Sequence, residues 1–230
     1  LFYKSFTDYD DIDGDGTLDT TYKNTIEYAG YFDSQKCYRY DGSIFTPARL
    51  TENYYCNSFA NDEWSGNFLN WATMTRMDVL RAGLYGGKRS SDPAAPDFDS
   101  VLSVAPTILE RALIPPDGHA FAKVFTSASV SQYVPTGTVS GSSISLCNVT
   151  PSIGSASVES GSASTTLFAP AIYVASGSYP RWASHGGTPC DTDGTGLTRP
   201  TSTGAALTAR VEACVKSIEI GNTERCKAYG

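Results

Sequence analysis

The chain has 230 residues, is 40% hydrophobic and carries a formal charge of −7, so it is long enough and apolar enough for a real core and is not a disordered chain. A pI near 4.8 and 17 scattered Lys and Arg argue against binding a nucleic-acid backbone. No run approaches the roughly 18 apolar residues that cross a bilayer.

With 21 Gly, 14 Tyr, two Met and abundant Ser and Thr, the composition is that of a secreted β-rich protein. No signal peptide stands at Leu1, and the chain reads as a mature or partial product of something longer.

Residues 1–7, LFYKSFT, form an apolar lead suited to an extended strand. From Asp11 the sequence runs DIDGDGTLDTTY, which sets Asp11, Asp13 and Asp15 at positions 1, 3 and 5 of an EF-hand-like loop, with Gly16 at the turn. The Thr17 carbonyl falls at position 7, Leu18 at the apolar position 8 and Asp19 at position 9. Alternating carboxylates on a tight turn converge on one point, so calcium is the expected ion. Position 12 holds Tyr22 instead of a bidentate Glu, so a further ligand would come from Asp8, Glu27 or water. The bland alternative is an acidic surface turn. No helix pair flanks the loop, which gives the ion a structural role.

Residues 22–63 read as short strands and turns, punctuated by Gly30, Asp41-Gly42 and Pro47. Tyr28, Tyr31, Phe32, Tyr38 and Tyr40 form either a sugar-binding aromatic face or part of the core. Trp64 to Arg89, WSGNFLNWATMTRMDVLRAGLYGGKR, predicts one long buried helix capped by Ser65 and ended by Gly86-Gly87, with Phe68, Trp71, Ala72, Thr75 and Val79 on its stripe.

After the linker SSDPAAPDFDS, the stretch VLSVAPTILERAL predicts a shorter helix from Pro106. His119 follows a turn and reads as structural. A strand comes next, with Ala120, Ala122 and Val124 on one side and Phe121, Lys123 and Phe125 on the other. Residues 126–175 read as strands in a Ser/Thr/Gly-rich lobe, with Asn148-Val149-Thr150 a formal glycosylation match. Residues 177–200 read as a loop region, and Leu207 to Val215 as a strand with Leu207, Ala209, Val211 and Ala213 facing one way.

The six cysteines lie at 37, 56, 147, 190, 214 and 226, a spacing poor for zinc or haem. Of the 15 full connectivities possible for six cysteines, sequential pairing is the expectation, because Cys37–Cys56, Cys147–Cys190 and Cys214–Cys226 each close one local loop. Reduced buried thiols are the alternative. No nucleophile, base and oxyanion-donor set can be assembled, so the chain is not expected to be an enzyme.

The fold class is therefore mixed α/β, disulfide-stapled. It is divided as 1–125 for the calcium loop and helices, 126–204 for a β insertion, and 205–230 for a closing strand and disulfide loop.

Four separated stretches carry a resemblance: WSGNFLNWATMTRMDVLRAGLYGGKR, EYAGYFDSQKCYRY, IPPDGHAFAKVF and ARVEACVKSIEIGNTERCKAYG. Together, from about Tyr28 to Gly230 and in order, they resemble the N-terminal region of the PilC/PilY family of type IV pilus tip-associated adhesins. The resemblance implies a von Willebrand A-like region, an extracellular or pilus-tip location, minor pilins as partners, a role in pilus assembly and extension, and attachment to host or abiotic surfaces. The Asp-x-Ser-x-Ser adhesion motif of such A domains is absent here, so no adhesion-site ligands are carried over. A structural subunit of an extracellular filament and a calcium-stabilised carbohydrate-binding module are the rival readings.

Overall fold

A computed structural model describes residues 5, 11, 14–56, 62–91, 107–114, 119–150, 170–184, 190 and 206–213. Strands β1 (Lys36–Tyr40) and β2 (Phe45–Leu50) form an antiparallel hairpin. Asp41 closes its turn, its carboxylate accepting from the Ser43 and Ile44 amides at 2.8 and 2.9 Å, while Gly42 takes φ 103°. Those amide bonds hold the Asp41 carboxyl below its ordinary range. The pairing register shifts between Cys37 and Tyr38, which leaves Pro47 opposite Tyr38 at an irregularity where its missing N–H is tolerated.

The expected single helix is two helices between two strands. Trp64–Ser65 is β3, Gly66–Thr73 is α1, Arg76–Tyr85 is α2 and Arg89–Ser91 is β4. Ser65 does cap α1, accepting from the Phe68 amide at 3.3 Å, and Gly86 ends α2 in the left-handed region at φ 79°.

The break lies at Met74 and Thr75. Met74 is extended (ψ 139°), and Thr75 starts a capping box with Asp78, each side chain bonding the other residue's amide. Burial divides at the same point. All eight residues of α1 are buried, whereas α2 buries Asp78 alone and exposes Leu80, Leu84 and Tyr85. Leu80 and Leu84, within the run expected to be one long buried helix, face water instead.

The expected helix from Pro106 is also replaced. Ile108–Glu110 is strand β5, pairing antiparallel with β4 and with β10 (Arg210–Glu212). Local helix propensity gives way here to backbone partners on both sides, supported by branched Thr107 and Ile108. The strand expected over Leu207 to Val215 divides in two: β9 (Leu207–Thr208) joins one sheet and β10 the other, with Ala209 between them. Of the four residues expected on one face, Ala209 and Val211 are buried, Leu207 is half-buried and Ala213 is exposed, so the alternation holds only at its centre.

The first sheet has the order β3-β1-β2-β10-β5-β4, with one parallel contact between β2 and β10. The second, β6 (Phe121–Thr126), β7 (Ser143–Val149), β8 (Ala171–Ser176) and β9, is antiparallel throughout. Along β6 the expected Phe121, Lys123 and Phe125 side is the buried one, and the Lys123 ammonium lies 4.9 Å from the Trp71 ring.

Helix α1 touches β1 and β3 of the first sheet and β7 of the second. One core runs through it, from Tyr38, Phe45 and Val211 to Phe125, Ile144, Leu146 and Ile172. At its centre Tyr22 meets Phe68, Trp71, Phe125 and Tyr133 with ring centroids 5.2, 5.8, 5.5 and 4.9 Å away. Each buried ring of this kind contributes about 1.5–3 kcal/mol. A second cluster, with Ile114, Phe121, Val149 and Trp182, packs around the disulfide at Cys147.

Candidate functional site

The acidic loop begins as the aspartate spacing suggests. Gly14 and Gly16 take φ values of 76° and 87°, a region that favours glycine. The Asp11 carboxylate reaches across them to accept from the Asp15 amide at 3.0 Å and the Gly16 amide at 2.8 Å. Asp15 in turn accepts from both the hydroxyl and the amide of Thr17. The Thr17 hydroxyl bond, then its amide and Lys23, pull the exposed Asp15 carboxyl down to about 2.

Asp19 is buried, and the Lys23 ammonium lies 2.6 Å from its Oδ1 and 3.1 Å from Oδ2 of Asp15. Asp13 falls outside the described residues, and so does Asp8. Among the described residues no three His, Cys, Asp or Glu side chains gather into a metal-holding group. Leu18, at the apolar position, is exposed, and Tyr22, where a bidentate Glu would stand, is part of the aromatic core. Tyr22 therefore supplies packing and no carboxylate. The loop as described holds an organic cation on two carboxylates.

The other polar concentration is buried. Asn67 and Asn70, one turn apart on α1, clamp the preceding chain. Asn67 accepts from the Tyr28 amide at 2.8 Å and donates to the Ile26 carbonyl at 2.8 Å and the Tyr22 hydroxyl at 3.2 Å. Asn70 accepts from the Phe32 amide at 3.1 Å and donates to the carbonyls of Tyr28 and Phe32 at 2.9 and 2.8 Å. Gly30 is tied to this clamp, because a Cβ there would lie 2.1 Å from Asn70 Oδ1.

Asp78 closes the helix break. One oxygen accepts from the Thr75 amide and hydroxyl at 3.0 and 2.6 Å, the other from the Ala112 amide at 2.7 Å. Next in the chain from Glu110, fully buried Arg111 donates to Asn148 Oδ1 and to the carbonyls of Val149 and Ala171. Asn148 completes the seam by donating to the Ala72 carbonyl at 2.8 Å. Burial pulls the Arg111 guanidinium down to about 10, partly opposed by Asp78 and Glu110, so it stays charged at neutral pH.

Sequence reasoning missed this seam. A capping box at Thr75-Arg76-Met77-Asp78 was its one readable sign. The formal glycosylation residue Asn148 is wholly inside it, with both ends of its amide bonded to protein.

The expected disulfides Cys37–Cys56 and Cys147–Cys190 are present, with Cα separations of 5.6 and 5.7 Å. Cys214 and Cys226 lie outside the described residues. The aromatic set is core. Tyr28, Tyr31, Phe32 and Tyr38 are all buried, which removes the sugar-binding face on which a carbohydrate-binding reading drew. Glu63 is 1% exposed and held by Arg39 at 3.0 Å and Arg49 at 2.7 Å, so it is the anion of an ion-pair cluster beside exposed Asp62.

These features define a disulfide-stapled small α/β unit in which two sheets are locked through a buried helix and a polar seam. Residues 19–169 match the family described as PilY1 homolog, small alpha/beta domain, and the chain belongs to that family. It is similar to two proteins of Xylella fastidiosa (strain Temecula1), each named a type IV pilus biogenesis factor PilY1 homolog. One is 38% identical over 141 residues, covering 59% of this chain and 9% of the relative. The other is 40% identical over 106 residues, covering 42% of this chain and 8% of the relative. The chain thus spans less than a tenth of the length of these curated relatives. No solved structure matches it significantly. No helix among the described residues is long and apolar enough to cross a membrane.

Proposed function

We propose that this chain is a non-enzymatic, extracellular module of a type IV pilus biogenesis factor, working at the pilus tip with minor pilins in assembly and extension and taking part in surface attachment. The observation that carries the reading is the family match over residues 19–169, together with the names of the relatives. Two disulfides are in keeping with an oxidising compartment outside the cytoplasm.

The von Willebrand A-like relation belongs to the same proposal, in the form of a small unit set into such a domain. Predominantly antiparallel pairing suits an inserted unit better than it suits a doubly wound parallel sheet. Calcium is likewise proposed as an ion of the loop from Asp11 to Asp19, including Asp13 and the Thr17 carbonyl. Its support is the aspartate spacing and the left-handed Gly14 and Gly16.

Affinity capture with the tagged protein from sheared surface appendages tests the pilus reading. Minor pilins should be enriched over an untagged control. Recovery of the protein as a free species with no pilus component would count against it.

A further inference from the structure

Helix α2 is held at both ends and left bare along one side. The Thr75 and Asp78 capping box fixes its start, the Ala112 amide bonds Asp78, and Gly86 closes its end. Asp78 and Ala82 turn inward. The side away from them is two adjacent rows at four-residue spacing, Arg76, Leu80 and Leu84 in one and Met77, Arg81 and Tyr85 in the next. Leu80, Leu84 and Tyr85 are 46, 71 and 54% exposed, and Arg76, Met77 and Arg81 are half-buried. Large apolar side chains gathered on one exposed helix face mark an interaction site.

Charge says what covers it. Each row carries one arginine, and the one acid of the helix, Asp78, is buried. A positive, apolar strip thus stands on a chain of net charge −7. Two copies meeting through this face would set arginine against arginine. An anionic bilayer, broad beside the strip, would also meet the negative charge of the rest of the chain. A single narrow acidic element meets the strip alone. Because α2 offers rows of side chains and no strand edge, the rows of another helix are what fit its grooves. We propose that this face of α2 docks an amphipathic helix of a partner polypeptide whose apolar side is bordered by Asp or Glu. Its apolar side chains cover Leu80, Leu84 and Tyr85, and its carboxylates meet Arg76 and Arg81.

Fluorescence anisotropy on the whole chain tests this with a labelled three-heptad peptide, leucine at its a and d positions and glutamate at e and g, whose mutual repulsion keeps it monomeric. The same peptide with lysine for glutamate is the comparison. The glutamate peptide should bind saturably, and the lysine peptide about tenfold more weakly or worse. Arg76→Glu with Arg81→Glu should reverse that preference, a result that loss of folding cannot give. Leu80→Ser with Leu84→Ser should weaken the glutamate peptide by about tenfold or more. Both pairs lie on the outer side of α2 and should melt within a few degrees of the parent. Equal affinity for the two peptides, or no binding of the glutamate peptide, overturns the proposal. So does a chain that ignores the glutamate peptide but binds phosphatidylglycerol vesicles, or one that instead forms a dimer lost in the Leu80→Ser, Leu84→Ser variant.

Discussion

Replacing Asn67 and Asn70 together by alanine is expected to remove most of the chain's stability, about 4–6 kcal/mol, and to leave it largely unfolded at 37 °C if its total lies near the low end of the usual 5–15 kcal/mol. The two amides make six hydrogen bonds to residues 22–32, and their loss strands the buried amides of Tyr28 and Phe32 away from water. An unsatisfied buried donor costs about 1–3 kcal/mol, more than a typical hydrogen bond contributes when made. The single variants should each lose about half of the total, and because they share Tyr28 the double should not be strictly additive. Urea unfolding followed by tryptophan fluorescence reads the result. A double variant within 1 kcal/mol of the parent would show that the clamp is not what seats residues 22–32 on α1.

Asp78→Ala should cost about 3–5 kcal/mol, a fall in melting temperature of about 10 °C or more. Three effects act in one direction. The cap of α2 is lost, the Ala112 amide is orphaned, and buried Arg111 loses a nearby countercharge. Asp78→Asn should fall between parent and alanine, since the amide keeps the shape but presents an N–H to one of the donors. The check is thermal melting of both variants beside the parent. A loss under 1 kcal/mol for Asp78→Ala would mean that the helix break is held by packing and not by its capping box.

Both variants bear on what could be read before folding. Ser65 and Gly86 were legible as helix ends because capping chemistry is local. Thr75 and Asp78 carry the same signature, but inside a run whose Phe, Trp, Leu and Val spacing fits one continuous helix, so periodicity concealed the break. The Asn67 and Asn70 pair sits on that helix as two polar residues one turn apart, and nothing local says that they face residues 22–32.

Strand β5 carries local helix propensity, and what makes it a strand lies far away in the chain. Arg111 donates its amide to Ala209, and Glu110 meets Arg210 at a sequence separation of 100. The alternation of Phe121, Lys123 and Phe125 and the two cysteine loops were readable because a strand's period and a short loop closure are both local. Within the acidic loop the aspartates were visible from spacing. Lys23 was not seen as their partner, because one turn's separation from Asp19 counts only once the loop's exit is known to bend that way.

The functional reading rests on the family relation, and its most direct test is position. Gold-labelled antibodies against this chain, applied to piliated cells of the organism that makes it and viewed by electron microscopy, should mark the free ends of type IV pili, with label absent from cells lacking the gene. Label spread along the shafts, confined to the cell interior, or unchanged in the deletion strain would contradict the placement of this module at the pilus tip.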